Sequence, residues 1–176
     1  MQEAEGGVIQ FPDRVSRPAD FSAFFAEEHR KVFKALYFVT GNRADAAELM
    51  QDAFLKLWER WDTIDRIDDP TAYLFRVALN GSRMRARSAR RATRRMVAPT
   101  SPNDPFDEID IREDVRHMLL GLAPRQRAAL VLLDLYGYGS EEAARIMGIR
   151  PSTVRALAAQ GRAALRSTAA SGGPHG

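Results

Sequence analysis

The sequence predicts an all-α protein made of two small helical domains joined by a flexible acidic linker. Three observations carry that expectation. Apolar residues recur every three or four positions through residues 20–95. The stretch VAPTSPNDPFDEID, with its three prolines, then interrupts any period. Between 110 and 167 the helical period resumes in four segments, punctuated at Gly121 to Pro124, at GYG and at Gly148.

In chain order, residues 1–19 mix Gly, Pro and charge without periodicity and read as a flexible leader. From Phe21, the set Phe21, Phe24, Phe25, Val32, Leu36 and Val39 makes an amphipathic helix that stops at Gly41. Asn42 is placed to cap a second helix, DAAELMQDAFLKLWERW, whose buried stripe is Met50, Phe54, Leu57 and Trp61. Asp69 caps a third, with Pro70 at its first position, where a missing N–H costs nothing. After the linker, 96–109, come the four segments of 110–167, and a tail, 168–176, ending in the small-residue run ASGGPHG, is expected to be disordered.

Composition bounds the function. Charged residues are 28% and hydrophobic ones 45% of 176, enough apolar material for one ordinary domain or two small ones. Cysteine is absent, which excludes disulfides and thiolate chemistry. The N-terminus lacks the apolar core of a secretory signal and no run approaches a membrane span, so a cytoplasmic protein is expected. His29, His117 and His175 are scattered, GYGSEEA lacks the Lys of a phosphate loop, and neither a metal site nor a cofactor is expected. An enzyme is therefore disfavoured. The cluster Asp107, Glu108, Asp110 reads as a solvated acidic segment rather than a cation site.

The formal net charge is only +3, but its distribution is uneven. GSRMRARSARRATRR, residues 81–95, holds seven arginines and no carboxylate. Tyr73, Arg76, Asn80, Arg83, Arg87, Arg90 or Arg91, and Arg94 fall at intervals of three and four, one face of a helix, with Leu74, Val77, Ala78 and Met84 opposite. A solvated basic face is the bland reading; the asymmetry, the length and an Asn within the stripe favour a nucleic-acid surface. Further on, SEEAARIMGIRPSTVRALAAQGRAAL has the shape of a helix-turn-helix. Ser140 is expected to cap its first helix, Gly148 to make the turn and Pro151 to open the second helix, held by Val154, Leu157 and Leu165. The outer side of that helix offers Ser152, Thr153, Arg155, Ala159, Gln160 and Arg162 to a major groove.

DAAELMQDAFLKLWERW, DDPTAYLFRVALNGSRMRARSARR and LAPRQRAALVLLDLYGYGSEEAARIMGIRPSTVRALAAQGRAAL, in this order, resemble the extracytoplasmic-function (ECF) sigma factors of the bacterial sigma-70 family. The resemblance covers about residues 20–167. It implies a three-helix region 2 domain over 20–95 and a four-helix region 4 domain over 110–167. It also implies a role: binding core RNA polymerase and directing promoter recognition, DNA melting and transcription initiation. In that family the helix like DAAELMQDAFLKLW docks on the polymerase, and the matching exposed positions are Glu48, Gln51, Asp52, Leu55 and Glu59. The minus-ten element would meet Tyr73, Arg76, Asn80, Arg83, Arg87, Arg90, Arg91 and Arg94. The arginines would hold phosphates, Asn80 would read a base, and Tyr73 would either stack on a base or pack half-buried. The minus-thirty-five element would meet Arg150, Ser152, Thr153, Arg155, Gln160 and Arg162. This helix departs from the family in carrying alanines where Lys and Arg are common, so its grip either leans on polymerase or uses an unusual contact set. Many relatives are held inactive by an anti-sigma factor, which is a further partner to expect. A stand-alone helix-turn-helix regulator remains the alternative.

Overall fold

A computed structural model describes residues 17–89 and 112–171, and every regular element among them is helical. The first half contains α1 (Arg17–Thr40), α2 (Arg43–Trp58), a 3-10 stretch (Trp61–Arg66) and α3 (Pro70–Ala89). The second contains α4 (Glu113–Leu120), α5 (Pro124–Leu130) running into one π turn (Val131–Leu135), α6 (Ser140–Met147) and α7 (Pro151–Ser171).

The helix ends follow local chemistry. Gly41, at φ +73°, ends α1 and returns its N–H to the Tyr37 carbonyl at 2.8 Å. Asn42 Oδ1 accepts from the Asp45 N–H at 3.0 Å and Asp69 Oδ1 from the Ala72 N–H at 2.9 Å, so α2 and α3 start at their expected caps. Gly148 ends α6 in the left-handed region, φ +62°. Its N–H reaches the Arg145 carbonyl and that of Ile149 the Ala144 carbonyl at 3.1 Å, a pairing that a side chain with a Cβ would strain.

Four local expectations are corrected. The first helix begins at Arg17 rather than Phe21, since Pro18 is tolerated within a first turn. α2 ends at Trp58, and Trp61 is presented by the 3-10 stretch, where the chain tightens through Arg60 N–H to Leu57 O (3.0 Å) and Thr63 N–H to Arg60 O (2.8 Å). Trp61 is still buried, with its ring centroid 5.1 Å from that of Phe21. Ser140 is the first residue of α6, not its cap. Gly139 takes that position, its N–H donating to Glu142 Oε2 at 3.0 Å, while the Ser140 hydroxyl accepts from Arg155 across the helix-turn-helix at 3.2 Å. α7 runs on to Ser171, so the expected tail does not begin at 168 but continues the helix for four residues. The Met84 side chain, the linker 96–109, most of the leader and residues 172–176 lie outside the described residues.

Packing then joins the halves. α1 lies against α2 and α3, α7 against α5 and α6, and the two groups meet where α1 faces α4 and α5 and where α3 faces α6. One continuous core results, running from Phe33, Leu36 and Phe38 through Leu74 and Phe75 to Leu132, Met147 and Val154. Gly161 lets α7 approach α5, since a Cβ there would meet Leu130 Cδ1 at 3.0 Å.

Tyr136 and Tyr138 project from the second half onto the first, with centroids 5.3 and 6.1 Å from the ring of Phe75. Burial pushes the Tyr138 phenol up to about 12, with Asp69 and Glu28 adding to the effect. Burial, then Glu28, raises Tyr136 further. A raised phenol pKa stabilises the fold fully below the ordinary value of 10.0 and progressively less as pH rises from there. Tyrosinate absorbance followed against pH is therefore expected to show these phenols ionising late. Stability should fall from about pH 10 toward 12, and a simple titration of all tyrosines near their ordinary value would contradict this seam.

Candidate polymerase and promoter interface

On α2 the buried residues Ala46, Leu49, Met50, Ala53, Phe54 and Leu57 face the core. Glu48, Gln51, Asp52, Leu55 and Glu59, three and four residues apart, consequently share the outer face, and all five are exposed. Leu55 is 60% exposed, the highest value among the large exposed apolar side chains of the described residues. Trp58, 47% exposed and three residues on, adds a second apolar group to this carboxylate-rich surface. Sequence reasoning missed Trp58, although its i+3 spacing from Leu55 was the available signal. Its ring edge rests on Phe21 at a centroid distance of 4.8 Å, which ties the exposed tryptophan to α1.

On α3 the same logic orients the arginine stripe. Leu74, Phe75, Ala78 and Leu79 are buried, and Arg76 and Asn80, one turn apart, stand exposed on the other side. Tyr73 is half-buried, with the Arg60 guanidinium 5.9 Å from its ring centre. Arg83 and Arg87 continue the spacing along the α3 backbone. Arg90, Arg91 and Arg94 lie outside the described residues.

On α7, Val154 and Ala158 are fully buried, which turns Ser152, Arg155, Gln160 and Arg162 outward and leaves Thr153 half-buried, and Arg150, just before the helix, is exposed as well. Three of these side chains have partners within their own half. Arg155 donates to Ser140, Gln160 accepts from Gln126 Nε2 at 3.5 Å, and Arg162 forks onto both Asp134 carboxylate oxygens, with Nε to Oδ2 at 3.0 Å. Asp134 was not anticipated from the sequence, because the π turn that presents it has no periodic signature. The expected contacts with least engagement inside the fold are therefore concentrated at the start of α7.

Among the described residues no group of three or more acidic or histidine side chains is arranged to hold a metal ion, and no helix is long and apolar enough to cross a membrane.

An arginine-lined helix in one half and a helix-turn-helix in the other are the marks of a DNA-binding transcription protein. The chain belongs to the sigma-70 family, among the ECF sigma factors: residues 24–92 match the family model for Sigma-70 region 2 and residues 112–165 that for Sigma-70, region 4. The RNA polymerase sigma-E factor of Streptomyces avermitilis is 30% identical over 165 residues, covering 93% of this chain and 87% of its own. The ECF RNA polymerase sigma factor SigM of Mycobacterium tuberculosis is 26% identical over 152 residues, covering 82% and 74%. In fold, the chain is similar to the sigma factor RpoE of Bartonella quintana, solved in complex with the anti-sigma factor NepR. The TM-score is 0.64 at 21% identity, over 84% of this chain and 95% of that one.

Proposed function

We propose that this sigma factor docks on core RNA polymerase through Glu48, Gln51, Asp52, Leu55 and Glu59. In the same reading it engages the minus-ten element through the α3 stripe and the minus-thirty-five element through Arg150, Ser152, Thr153, Arg155, Gln160 and Arg162. Residues 20–95 and 110–167 are then the two working units, and 96–109 the linker. The observation that carries the reading is the exposure of Asn80 beside Arg76 on a face opposite the buried Leu74, Phe75 and Ala78. An amide there can donate and accept at one base edge while its neighbours neutralise phosphates. Tyr73, Arg76, Arg83, Arg87, Arg90, Arg91 and Arg94 supply those neighbours. A regulating partner of the anti-sigma kind belongs to the same proposal, by likeness to the protein solved with NepR.

Asn80→Ala tests it. The variant holoenzyme is expected to relax its preference at one position of the minus-ten element by about fivefold to a hundredfold, the equivalent of about 1 to 3 kcal/mol. The salt dependence of binding should barely change. Transcription from a library randomised across that element reads the result. A uniform loss on all promoters, together with lowered thermal stability, would place Asn80 in a structural role.

A further inference from the structure

The outermost row of α7 is made of small residues. Ser152, Ala156, Ala159 and Ala163 follow one another at intervals of three and four, opposite the buried Val154, Ala158 and Gly161, and all four are exposed. Such a row lets the helix approach its target closely. A helix is about 10 to 12 Å across and the major groove about 12 Å wide, so contact passes to longer side chains on the flank of the row. Arg155 and Arg162, two helical turns apart, stand on one such flank, and their partners differ in charge. Arg155 donates to the neutral Ser140 hydroxyl at 3.2 Å. Arg162 gives Nε and Nη2 to the two carboxylate oxygens of Asp134, and both side chains stay nearly half exposed, at 45% and 48%. The π turn places that carboxylate. Tyr136 N–H donates to the Val131 carbonyl five residues back, at 3.1 Å, and the widened turn carries Asp134 out of the α5 register to the side of α7.

We propose that Asp134 is a specificity-determining residue of the upstream promoter contact, holding Arg162 as a reader of one guanine edge instead of a clamp on phosphate. The inference rests on the assignment of α7 to the minus-thirty-five element. Two properties of the ion pair carry it. Its net charge is zero, and its two charges touch well inside the screening length of about 8 to 10 Å, so a phosphate gains little from the pair. A guanine edge has another requirement, because its neutral acceptors O6 and N7 need two coplanar N–H donors rather than a charge. With Nε and Nη2 turned to Asp134, the guanidinium keeps both Nη1 hydrogens and one on Nη2 for that purpose. The carboxylate also fixes the plane of this edge, so less side-chain freedom is lost on contact. Arg155, on a neutral hydroxyl, retains its charge for a phosphate. Asp134 is therefore a positioning residue, acting through Arg162.

Holoenzyme assembled from core polymerase and the full-length chain is bound to a duplex promoter library randomised across the minus-thirty-five element, and the bound fraction is sequenced. Wild type is expected to favour guanine at one position, on either strand, and Arg162→Ala to lose that preference. Asp134→Asn keeps the shape and removes the charge. It should cut the same preference by about fivefold or more and steepen the slope of log affinity against log salt by about 0.9, as the released arginine finds a phosphate. Asp134→Glu restores a carboxylate and should recover the wild-type slope and part of the preference. An exposed ion pair contributes little to stability, so circular dichroism should show folded variants. Should Asp134→Asn lose its helical signal, Asp134→Ser, which gives Arg162 the kind of partner that Arg155 has, decides on the same two readouts. A folded variant that matches wild type in preference and slope, or that weakens every sequence alike, would overturn the role of Asp134 while leaving α7 on the DNA. A wild-type holoenzyme without base preference anywhere in this element, yet selective across the minus-ten element, would remove α7 from the upstream contact and the inference with it.

Discussion

A chain carrying Leu55→Glu with Asp52→Arg is expected to lose core polymerase while remaining folded. Both positions lie on the exposed face of α2, away from the buried row Leu49, Met50, Ala53, Phe54 and Leu57, so neither change touches the core. Truncating or charging a central apolar anchor of an interface costs about 2 to 4 kcal/mol or more, and inverting a charge beside it adds repulsion. Affinity should fall by about a thousandfold. Sedimentation or affinity capture with purified core polymerase measures the loss, with circular dichroism and thermal melting as the folding control. Retention of near wild-type affinity by a well-folded double variant would remove α2 from the polymerase interface.

Phe75→Ala should produce the largest change in stability. The ring is 1% exposed and is the point where α3 meets Tyr136 and Tyr138 of the other half. Deleting a buried phenylalanine costs about 3 to 5 kcal/mol through lost transfer energy and the cavity left behind. For a chain of this size that corresponds to a fall in Tm of about 10 °C. Because the ring belongs to the seam as well as to the first half, the calorimetric transition should also broaden or split as the halves lose cooperativity. A single sharp transition at the wild-type temperature would show that the ring is not a structural hinge of the core.

Much of this architecture was legible before any coordinates because helix ends are written in local chemistry. Gly41 followed by Asn42, Asp69 followed by Pro70, and Gly148 followed by Pro151 each mark a stop or a start whose hydrogen bonds need only a few neighbouring residues. The outward orientation of Arg76, Asn80 and the α2 carboxylates was legible for a related reason: a helical period that buries one row of side chains exposes the other. The π turn at Val131–Leu135 and the 3-10 stretch at Trp61–Arg66 were not, since neither geometry has a distinctive residue pattern. Asp134, which occupies Arg162, and Ser140, which accepts from Arg155, were hidden with them.

Arg125 and Arg127 show where sequence stops being sufficient. They stand two residues apart in PRQRAAL, and nothing in their spacing distinguishes them, yet Arg125 is exposed and Arg127 is buried on the Val39 carbonyl. The sequence by itself determined that the chain is helical, the caps at Asn42 and Asp69 and the apolar faces of the helices, because each depends on interactions within a few turns of one chain segment. Only the tertiary structure decided which apolar face covers which. That choice rests on shape complementarity between segments about 90 residues apart, and on whether a buried donor such as Arg127 finds a carbonyl waiting at the end of a distant helix.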